Sequence, residues 1–363
     1  MTQPGEFLYT TRNSTRVDSS YSVMVTRNDV ARLAGVSPAL VSYVLNNGPR
    51  PVSENKRARI LQAIRQLDYQ PSAVARNLRL QRTSTLGLIL PDTQNPYFSE
   101  VSRGIEWIAF ENRYTVILCH SGYSLKRELQ YIDTLRRQRV AGVIWIPATA
   151  NLEPYHRLVK FGVPTVLLDR SIPGSSVPAV VADNFRGGYL ATQHLIQLGH
   201  RRIGSISRPV DLSHSQGRIH GYLAALGDNG IPIDERLIAP GGYLLEDGRK
   251  AFKQLMGLED PPTAIFAYND IMAIGALRAA HQVGLHVPDD FSIVGFDNIP
   301  EADFTCPALT TISQPKFDMG RTGTELLLKM ISGASCPLDN LQPLDVDLVI
   351  RESTGPAPLK RPG

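Results

Sequence analysis

Three polar side chains directly follow three apolar runs in the sequence. Asp169 comes after PTVLL, Asn269 after AIFAY and Asp297 after SIVGF. Two carboxylates and an amide that lie together can bond the neighbouring hydroxyls of a small polar molecule. Taken singly, Asp169 could cap a loop and Asn269 could cap its helix, and either role explains the residue as well as ligand binding does. Their joint placement favours a ligand site.

The elements that must position these side chains follow from alternating apolar runs and amphipathic stretches. Strands are predicted at LGLIL, TVILC, GVIWI, PTVLLD, RIGSI, AIFAY and FSIVGFD. Helices are predicted at 97–112, 125–138, 152–161, 184–198, 216–229, 245–256 and 269–283. This alternation is typical of βαβ units around a parallel sheet. The predicted fold class is therefore α/β, with two Rossmann-like lobes and ligand groups at the carboxyl ends of strands.

Other chemistries find no support in the sequence. Cys119, Cys306 and Cys336 lie far apart and form no CxxC or Cys/His pattern, and the eight histidines have no ligand spacing. His194 and His200 flank a helix end, which suggests packing or capping. The sequence contains no GxGxxG or GxxxxGK[ST] loop and no Ser/His/Asp order. We expect no catalytic residue, no metal and no cofactor.

Composition and charge divide the chain into two unequal parts. With 363 residues and 42% apolar residues, the chain is expected to form two or three domains. Residues 1–82 carry twelve basic and five acidic side chains, a net charge of +7, which leaves −3 for residues 83–363. A basic segment of this kind is typical of a small domain that meets a polyanion, although a solvated charged surface is the alternative.

Hydropathy predicts a cytoplasmic protein without a membrane partner. No apolar stretch reaches the roughly 18 residues that a membrane span needs. The first thirty residues contain no apolar core of a secretory signal.

Two short helices joined by a glycine turn are predicted after Val25. Gly35 suits the positive φ of such a turn, Ser37 can cap the second helix through its hydroxyl, and Pro38 fits its first position. The two predicted apolar faces are Val30, Ala31, Leu33 and Ala34, then Leu40, Val41, Val44 and Leu45.

A third helix is predicted from Ser53, as N-cap, to Leu67. Its predicted inward residues are Ile60, Leu61, Ile64 and Leu67. Three such short helices support only a marginal core, so a helix-turn-helix explains this segment better than a general helical domain.

The segments VTRNDVARLAGVSPALVSYVLN and SENKRARILQAIRQLDYQPSAVARNLR resemble the headpiece and hinge of the LacI/GalR family of transcription regulators. The motifs DNFRGGYLATQHLIQLGHRRIG, NDIMAIGAL, VPDDFSIVGFDN and PALTTISQP extend the resemblance to Ser353. It implies a helix-turn-helix headpiece, a hinge helix and a two-lobed domain similar to periplasmic sugar-binding proteins.

The resemblance also implies the domain boundaries. They are a headpiece over 24–70, a hinge helix and linker over 71–82, an effector-binding and dimerisation domain over 83–355 and a tail over 356–363. The N-lobe is expected at about 84–183 and 314–345, and the C-lobe at about 184–313 and 346–355. Residues 1–23 have no counterpart in the family pattern, and we expect a disordered leader there.

In this family the second helix enters the major groove of DNA. By motif position, the implied base readers are Pro38, Ala39 and Tyr43, and the implied phosphate anchors are Thr26, Ser37, Ser42 and Asn46. Val41, Val44 and Leu45 are expected to pack in the core instead.

The hinge is implied to enter the minor groove when a dimer sits on DNA. Its implied contacts are Ala75, Arg76 and Leu78. Ala75 lets two hinge helices approach closely, and Leu78 matches the family's wedge residue, which opens the central base step and kinks the duplex.

The resemblance adds further side chains to the three strand-end residues of the ligand site. They are Arg218 as the cleft arginine, Tyr243 as the aromatic that packs on a pyranose, and Tyr97, Phe98 and His214. Together these groups favour a sugar as effector. Tyr97 and Phe98 could equally be core residues at a helix start.

Purine-responsive members of the family are the nearest competing effector class. The purine pattern has an arginine and a threonine where this chain has Leu212 and His214, and a glycine where it has Asn269. A purine would therefore lack its main polar partner here.

The implied function is a transcription regulator, usually a repressor, that binds a pseudo-palindromic operator in double-stranded DNA as a homodimer. A small sugar in the cleft would change DNA affinity through the hinge. A solute-binding protein is the second class, which the basic head and the absent signal segment oppose. An enzyme is the third, and no site supports it.

Overall fold

The computed structural model describes residues 25–46, 51–69, 83–208, 213–334 and 342–359. The chain divides into two compact units, with the boundary after Leu80. We call the described residues 25–69 the headpiece and the described residues from 83 onward the body, and each has its own hydrophobic core.

The headpiece consists of three helices, α1 at Arg27–Ala34, α2 at Pro38–Asn46 and α3 at Glu54–Gln66. Thr26 and Asp29 form a capping box at the start of α1. Gly35 ends α1 in the left-handed region, with φ 62° and ψ 43°. A side chain would be strained in this conformation, so the glycine permits the tight turn into α2.

The headpiece core is small and corrects part of the predicted apolar faces. Its buried residues are Val30, Ala31, Ala34, Val41, Val44, Ile60 and Ala63, with Leu45 packed against them. Leu33 and Leu61 were predicted to be part of these faces but are 51% and 41% exposed. Each lies at the edge of the apolar stripe of its helix, and the two neighbouring short helices do not cover the whole width of that stripe. Ser53 is the N-cap of α3 as predicted, but its hydroxyl does not make the capping bond.

The body contains two α/β lobes. The N-lobe has a parallel five-stranded sheet in the order β2-β1-β3-β4-β5. Its strands are β1 Thr85–Leu90, β2 Thr115–His120, β3 Gly142–Trp145, β4 Thr165–Leu168 and β5 Ala179–Val180. Its helices are α4 Pro96–Glu111, α5 Leu125–Arg137, α6 Glu153–Lys160 and, from near the chain's end, α12 Lys316–Ser332.

The C-lobe has a six-stranded sheet in the order β11-β10-β9-β8-β6-β7, and only β11 runs antiparallel to its neighbour. Its strands are β6 Ile203–Ser207, β7 Ile238–Pro240, β8 Ala264–Ala267, β9 Ser292–Asp297, β10 Thr310–Ser313 and β11 Asp347–Val349. Its helices are α7 Asn184–Gln197, α8 Ser213–Asp228, α9 Leu245–Met256, α10 Asp270–Gln282 and α11 Glu301–Phe304, with a short 3-10 helix at Glu235–Leu237.

Helix α12 returns the chain to the N-lobe, where it packs closely against α4. A Cβ atom on Gly104 would lie 2.1 Å from the carbonyl oxygen of Phe317, and one on Gly320 would lie 2.1 Å from that of Val101. The two glycines therefore allow the backbones of these helices to approach each other. The chain then crosses back, pairing at Ala182 and Leu344 before it enters β11.

The residues after β11 form a strap across the C-lobe. His200 contacts Thr263 and the carbonyl oxygen of Gly355 through its two ring nitrogens, and Nε2 of His194 lies 2.9 Å from the Thr354 hydroxyl. The amide of Ala357 donates to the carbonyl oxygen of Leu198. The two histidines thus pack the strap onto the lobe, as their placement at a helix end suggested.

The α/β class, the helix-turn-helix and all seven predicted strands and seven predicted helices of the body are confirmed, with ends that differ by at most three residues. The pattern did not predict β5, β7 and β11, which have only two or three residues, nor β10 and α12. Short strands carry too little periodicity to be recognised.

Candidate functional site

Helix α2 presents the residues predicted to read bases. The hydroxyl of Ser37 accepts a hydrogen bond from the Leu40 amide at 3.3 Å, so Ser37 caps α2 as predicted. Pro38 is the first residue of α2. Ala39 is exposed and Tyr43 is half-buried, while Val41 between them points into the core. One face of α2 therefore holds the fold, and the other remains accessible.

Thr26 has a structural task besides the predicted phosphate contact. Its hydroxyl donates to Asp29 Oδ2 at 2.6 Å, and the Asp29 amide donates back to the hydroxyl at 3.4 Å. Another predicted anchor, Ser42, is half-buried on α2. Basic side chains of α3 add positive charge to the surface of the headpiece. The exposed ones are Lys56, Arg57, Arg59 and Arg65.

Several predicted DNA contacts lie outside the described residues. They are the hinge residues Ala75, Arg76 and Leu78 and the side chain of Asn46. The leader expected over 1–23 lies outside the described residues as well. In the body, the side chain of His214 and the whole of Leu212 are also outside them.

The predicted effector residues whose side chains are described meet in one cleft between the two lobes. Side chains from loops at the carboxyl ends of strands line it on both sides. The lining residues are Asn95, Tyr97, Phe98, Tyr123, Asp169, Arg170, Arg218, Tyr243, Tyr268, Asn269 and Asp297. The structure therefore brings together seven of the eight predicted residues.

On the N-lobe side, Asp169 is held from two directions. The hydroxyl of Tyr97 donates to its Oδ1 at 2.7 Å, and Arg170 Nε donates to its Oδ2 at 3.0 Å. Arg170 also donates to the carbonyl oxygen of Pro147 at 2.6 Å. Burial and the charge of Asp169 raise the pKa of Tyr97 well above its ordinary value, so its hydroxyl keeps its proton.

On the C-lobe side, Arg218 is the central donor. Its Nε donates to Asn184 Oδ1 at 2.8 Å, and its Nη1 donates to the carbonyl oxygen of Tyr268 at 2.7 Å. The same Nη1 lies 3.7 Å from Asp297 Oδ1, which also accepts a 2.7 Å bond from Gln314 Nε2. Burial raises the pKa of Asp297 to about 7, against the opposing effect of the Arg218 charge.

Both strand-end aspartates have unusual backbone conformations. The φ angle is 64° at Asp169 and 118° at Asp297, a region that residues other than glycine rarely occupy. Such conformations persist only where surrounding bonds impose them, and they concentrate at functional sites. The hydrogen bonds to these carboxylates provide that restraint.

Asn269, Tyr97 and Phe98 each combine the two roles that the sequence left open. Asn269 Oδ1 accepts the Met272 amide at 2.8 Å and so caps α10, while its Nδ2 points to the Tyr243 carbonyl oxygen at 3.5 Å. Tyr97 and Phe98 lie in the first turn of α4, each 3% exposed, and still line the cleft. Capping or core packing and cleft lining are therefore compatible here.

Four lining residues were missed from the sequence: Asn95, Tyr123, Arg170 and Tyr268. Arg170 and Tyr268 are the immediate chain neighbours of Asp169 and Asn269, so their position at strand ends was an available signal. Asn95 caps α4, next to Tyr97. Tyr123 lies in the loop after β2, and only the lobe arrangement brings it to the cleft.

The cleft is closed. Its lining side chains leave a cavity of about 20 Å³, whereas ligand pockets commonly measure about 300–1,000 Å³. The carboxylates, amide, arginines and aromatic rings can bond hydroxyls and pack on a ring, but a ligand must first separate side chains that now contact one another.

The described residues contain neither a membrane-spanning helix nor a cluster of metal-ligating side chains. No helix in them is both long and apolar enough to span a bilayer. Within the same residues, no group of three or more His, Cys, Asp or Glu side chains could hold a metal ion.

Comparisons with known proteins agree with these two regions. Residues 26–72 match the model of bacterial regulatory proteins of the lacI family, and residues 192–354 match that of a periplasmic binding protein-like domain. The HTH-type transcriptional repressor PurR of Proteus mirabilis is 39% identical over 313 residues, which are 85% of this chain and 91% of the relative.

Two solved structures are similar to most of the chain. A lac repressor dimer bound to operator and the anti-inducer ONPF has a TM-score of 0.79 and 28% identity, and the match covers 91% of this chain and 99% of the other. A complex of the transcriptional regulator CelR with cellobiose has a TM-score of 0.68 and 30% identity, with the same coverage.

Proposed function

The chain belongs to the lacI family of bacterial transcriptional repressors, and from this premise we propose a repressor controlled by a sugar or sugar-like effector in the interlobe cleft. It binds a pseudo-palindromic operator in double-stranded DNA as a homodimer, in the cytoplasm and on the chromosome. It is a regulator of transcription and not an enzyme.

The observation that carries the effector proposal is the composition of the cleft. Two buried aspartates from opposite lobes, Asp169 and Asp297, lie with Asn269, Arg218 and the ring of Tyr243 in one site. Carboxylate and amide oxygens accept hydrogen bonds from vicinal hydroxyls, and an amide nitrogen donates to them. An arginine donates to ring oxygens, and an aromatic ring packs on the apolar face of a pyranose. The CelR–cellobiose complex among the similar structures supports a sugar.

A purine-class effector is the second candidate. It is favoured by three PurR repressors that each match 85% of this chain. Against it, the sequence departs from the purine pattern at Leu212, His214 and Asn269.

For DNA, we propose that α2 enters the major groove of each half-site. Pro38 and Ala39 would sense base shape, in particular a thymine methyl group, and Tyr43 would both donate a hydrogen bond and pack against the bases. Thr26, Ser37, Ser42 and Asn46 would hold phosphates, and the hinge residues Ala75, Arg76 and Leu78 would enter the minor groove.

The proposed homodimer is supported by an exposed apolar surface on the N-lobe. Trp107 and Phe110 on α4 are 59% and 80% exposed, and Ile117 and Leu118 on the edge strand β2 are 38% and 48% exposed. Aromatic residues on a surface of this kind are typical of interface cores. Replacing Trp107 and Phe110 by glutamate should give monomers in sedimentation, whereas Phe304→Glu, an equally exposed site on the C-lobe, should leave the dimer intact.

The whole proposal is tested by fluorescence anisotropy of the full chain on duplex from upstream of its own gene. Binding is measured at two salt concentrations, with and without a panel of sugars and purines. Specific binding that one sugar abolishes or strengthens supports the proposal, and a response to purines alone supports the second candidate. A Leu78→Ala variant should lose specific binding while nonspecific, salt-driven binding remains. Equal losses on both DNAs would exclude the wedge role.

A further inference from the structure

Tyr123 and Tyr243 stack on each other across the cleft. Tyr123 follows β2 in the N-lobe, and Tyr243 follows β7 in the C-lobe. Their ring centroids are 4.0 Å apart and their planes are inclined by 15°. The stack therefore joins the two lobes directly through side chains.

The second face of the Tyr243 ring is also covered. The guanidinium carbon of Arg208 lies 3.6 Å from the centroid of this ring. Two planar groups that lie this close to one ring centroid would overlap if they shared a face, so Tyr123 and Arg208 cover opposite faces. The ring that would pack on a pyranose is thus fully occupied by the protein itself.

This contact carries two local costs. Tyr123 has a φ of 57°, directly after Gly122 with a φ of 60°, and a bulky residue rarely adopts this left-handed conformation. The Tyr243 hydroxyl oxygen is buried and has no hydrogen-bond partner among the described residues. A strained backbone beside an unsatisfied polar group is typical of a site that a ligand completes or remodels.

We propose that Tyr123 competes with the effector for the ring of Tyr243 and so lowers the affinity of the cleft for any ligand that must displace it. The inference rests on the proposed function of the cleft. A ligand with a flat or apolar ring face regains on Tyr243 the contact that displacing Tyr123 loses. An acyclic polyol has no such face and gains nothing in exchange, so the ring of Tyr243, once Tyr123 has left it, favours cyclic ligands over open-chain ones.

The first experiment measures the stack without any ligand, by single-molecule energy transfer between the lobes. Dyes are placed on Lys160→Cys and Lys253→Cys, which are exposed sites on α6 and α9, after Cys306 and Cys336 are replaced by serine. Excess unlabelled full-length chain ensures that each labelled dimer carries one labelled subunit. Tyr123→Ala should lower the ratio of closed to open molecules by about 2- to 10-fold, the factor that an aromatic pair contributes. Tyr123→Phe keeps the ring and should leave the ratio unchanged.

The second experiment measures affinity by calorimetry with three probes: cellobiose as a cyclic sugar, sorbitol as an acyclic polyol and adenine as a planar base. Tyr123→Ala should increase the affinity for a cyclic probe by the same factor of about 2- to 10-fold, because a larger fraction of the molecules is open and able to bind. Sorbitol should gain equally from the opening, since it no longer has to displace a side chain. The preference for cyclic probes should remain only where Tyr243 is intact, and Tyr243→Ala should abolish it.

The two experiments separate failure of the stack from failure of the effector assignment. Identical closed-to-open ratios for the wild type and Tyr123→Ala overturn the proposal, whatever the probes do. Unchanged affinity for a bound cyclic probe in Tyr123→Ala overturns it as well. A shifted ratio with no probe bound by either protein supports the stack and instead contradicts the proposed effector classes.

Discussion

In the headpiece the described side chains proposed to contact DNA are exposed or half-buried, whereas in the cleft most of those proposed to contact the effector are almost completely buried. Ala39 is exposed and Tyr43 half-buried on α2, while Asp169, Arg218 and Asp297 are each at most 4% exposed. The headpiece thus offers accessible surface to a large partner. The cleft already pairs most of its polar groups internally, with the Tyr243 hydroxyl as an exception, so a ligand has to exchange existing bonds for new ones.

The difference has an energetic consequence. A partner of the headpiece gains new contacts without breaking the fold, and its affinity is expected to depend on salt and charge. A ligand of the cleft must offset the cost of separating groups such as Tyr123 and Tyr243. Such a site discriminates between ligands more sharply, because a molecule that leaves a buried polar group unpaired is rejected.

The largest expected effect comes from removing the central donor of the cleft. Arg218→Ala leaves the buried Asp297 carboxylate and the Asn184 amide oxygen without their cation, which should cost about 3 kcal/mol or more in the free energy of unfolding. The measurement is urea denaturation of the full chain. Arg186→Ala is the matched control, because the Arg186–Asp345 pair is 3.5 Å apart and largely exposed, and its loss should cost less than about 1 kcal/mol. Equal losses in the two variants would mean that burial does not distinguish the cleft.

The next effect is acid destabilisation of the body through His200. Burial lowers the pKa of His200 from 6.5 to about 4. Since the folded state resists protonation and the unfolded state does not, stability is complete above pH 6.5 and falls as the pH approaches 4, by about 3 kcal/mol at pH 4. Urea denaturation across this range measures the slope. His200→Asn should flatten it, and an unchanged slope would show that other groups are responsible.

This pH effect also sharpens the contrast between the two regions. Residues 25–69 contain no histidine, so the headpiece should not share the loss. Amide hydrogen exchange at pH 7 and pH 5, corrected for intrinsic rates, reports the two regions separately. An equal loss of protection in the headpiece would contradict this assignment.

The smallest effect is expected at the turn of the headpiece. Gly35→Ala places a side chain at a φ of 62°, which should destabilise the headpiece by about 1 kcal/mol. Exchange of the α2 amides should become about five-fold faster. Gly227→Ala on α8 is the control, because a Cβ there would contact no atom within 4 Å and alanine favours a helix. If both variants behave alike, the left-handed turn does not limit headpiece stability.

Local patterns were sufficient for much of this molecule. The glycine turn at Gly35, the cap at Ser37 and the alternation of strands and helices in the body all depend on neighbours in the chain. The cleft residues Asp169, Asn269 and Asp297 were found because strand ends of a parallel sheet meet at one edge. The prediction that Leu33 and Leu61 lie in the core was wrong. Periodicity marks an apolar stripe on a helix, but it does not show how much of that stripe the other helices cover.

By itself the sequence determined the α/β class, the helix-turn-helix and the strand-end residues Asp169, Asn269 and Asp297, because these follow from spacing along the chain, while Arg218, Tyr243, Tyr97 and Phe98 were implied by the family resemblance. Only the tertiary structure decided that Asp169 and Asp297 are held in strained conformations and that Tyr123 reaches the cleft and stacks on Tyr243. These features depend on how the two lobes of the body are placed against each other. The two stacked residues, Tyr123 and Tyr243, lie 120 positions apart in the chain. Contacts between such distant residues are set by packing, which leaves no periodic signal in the chain.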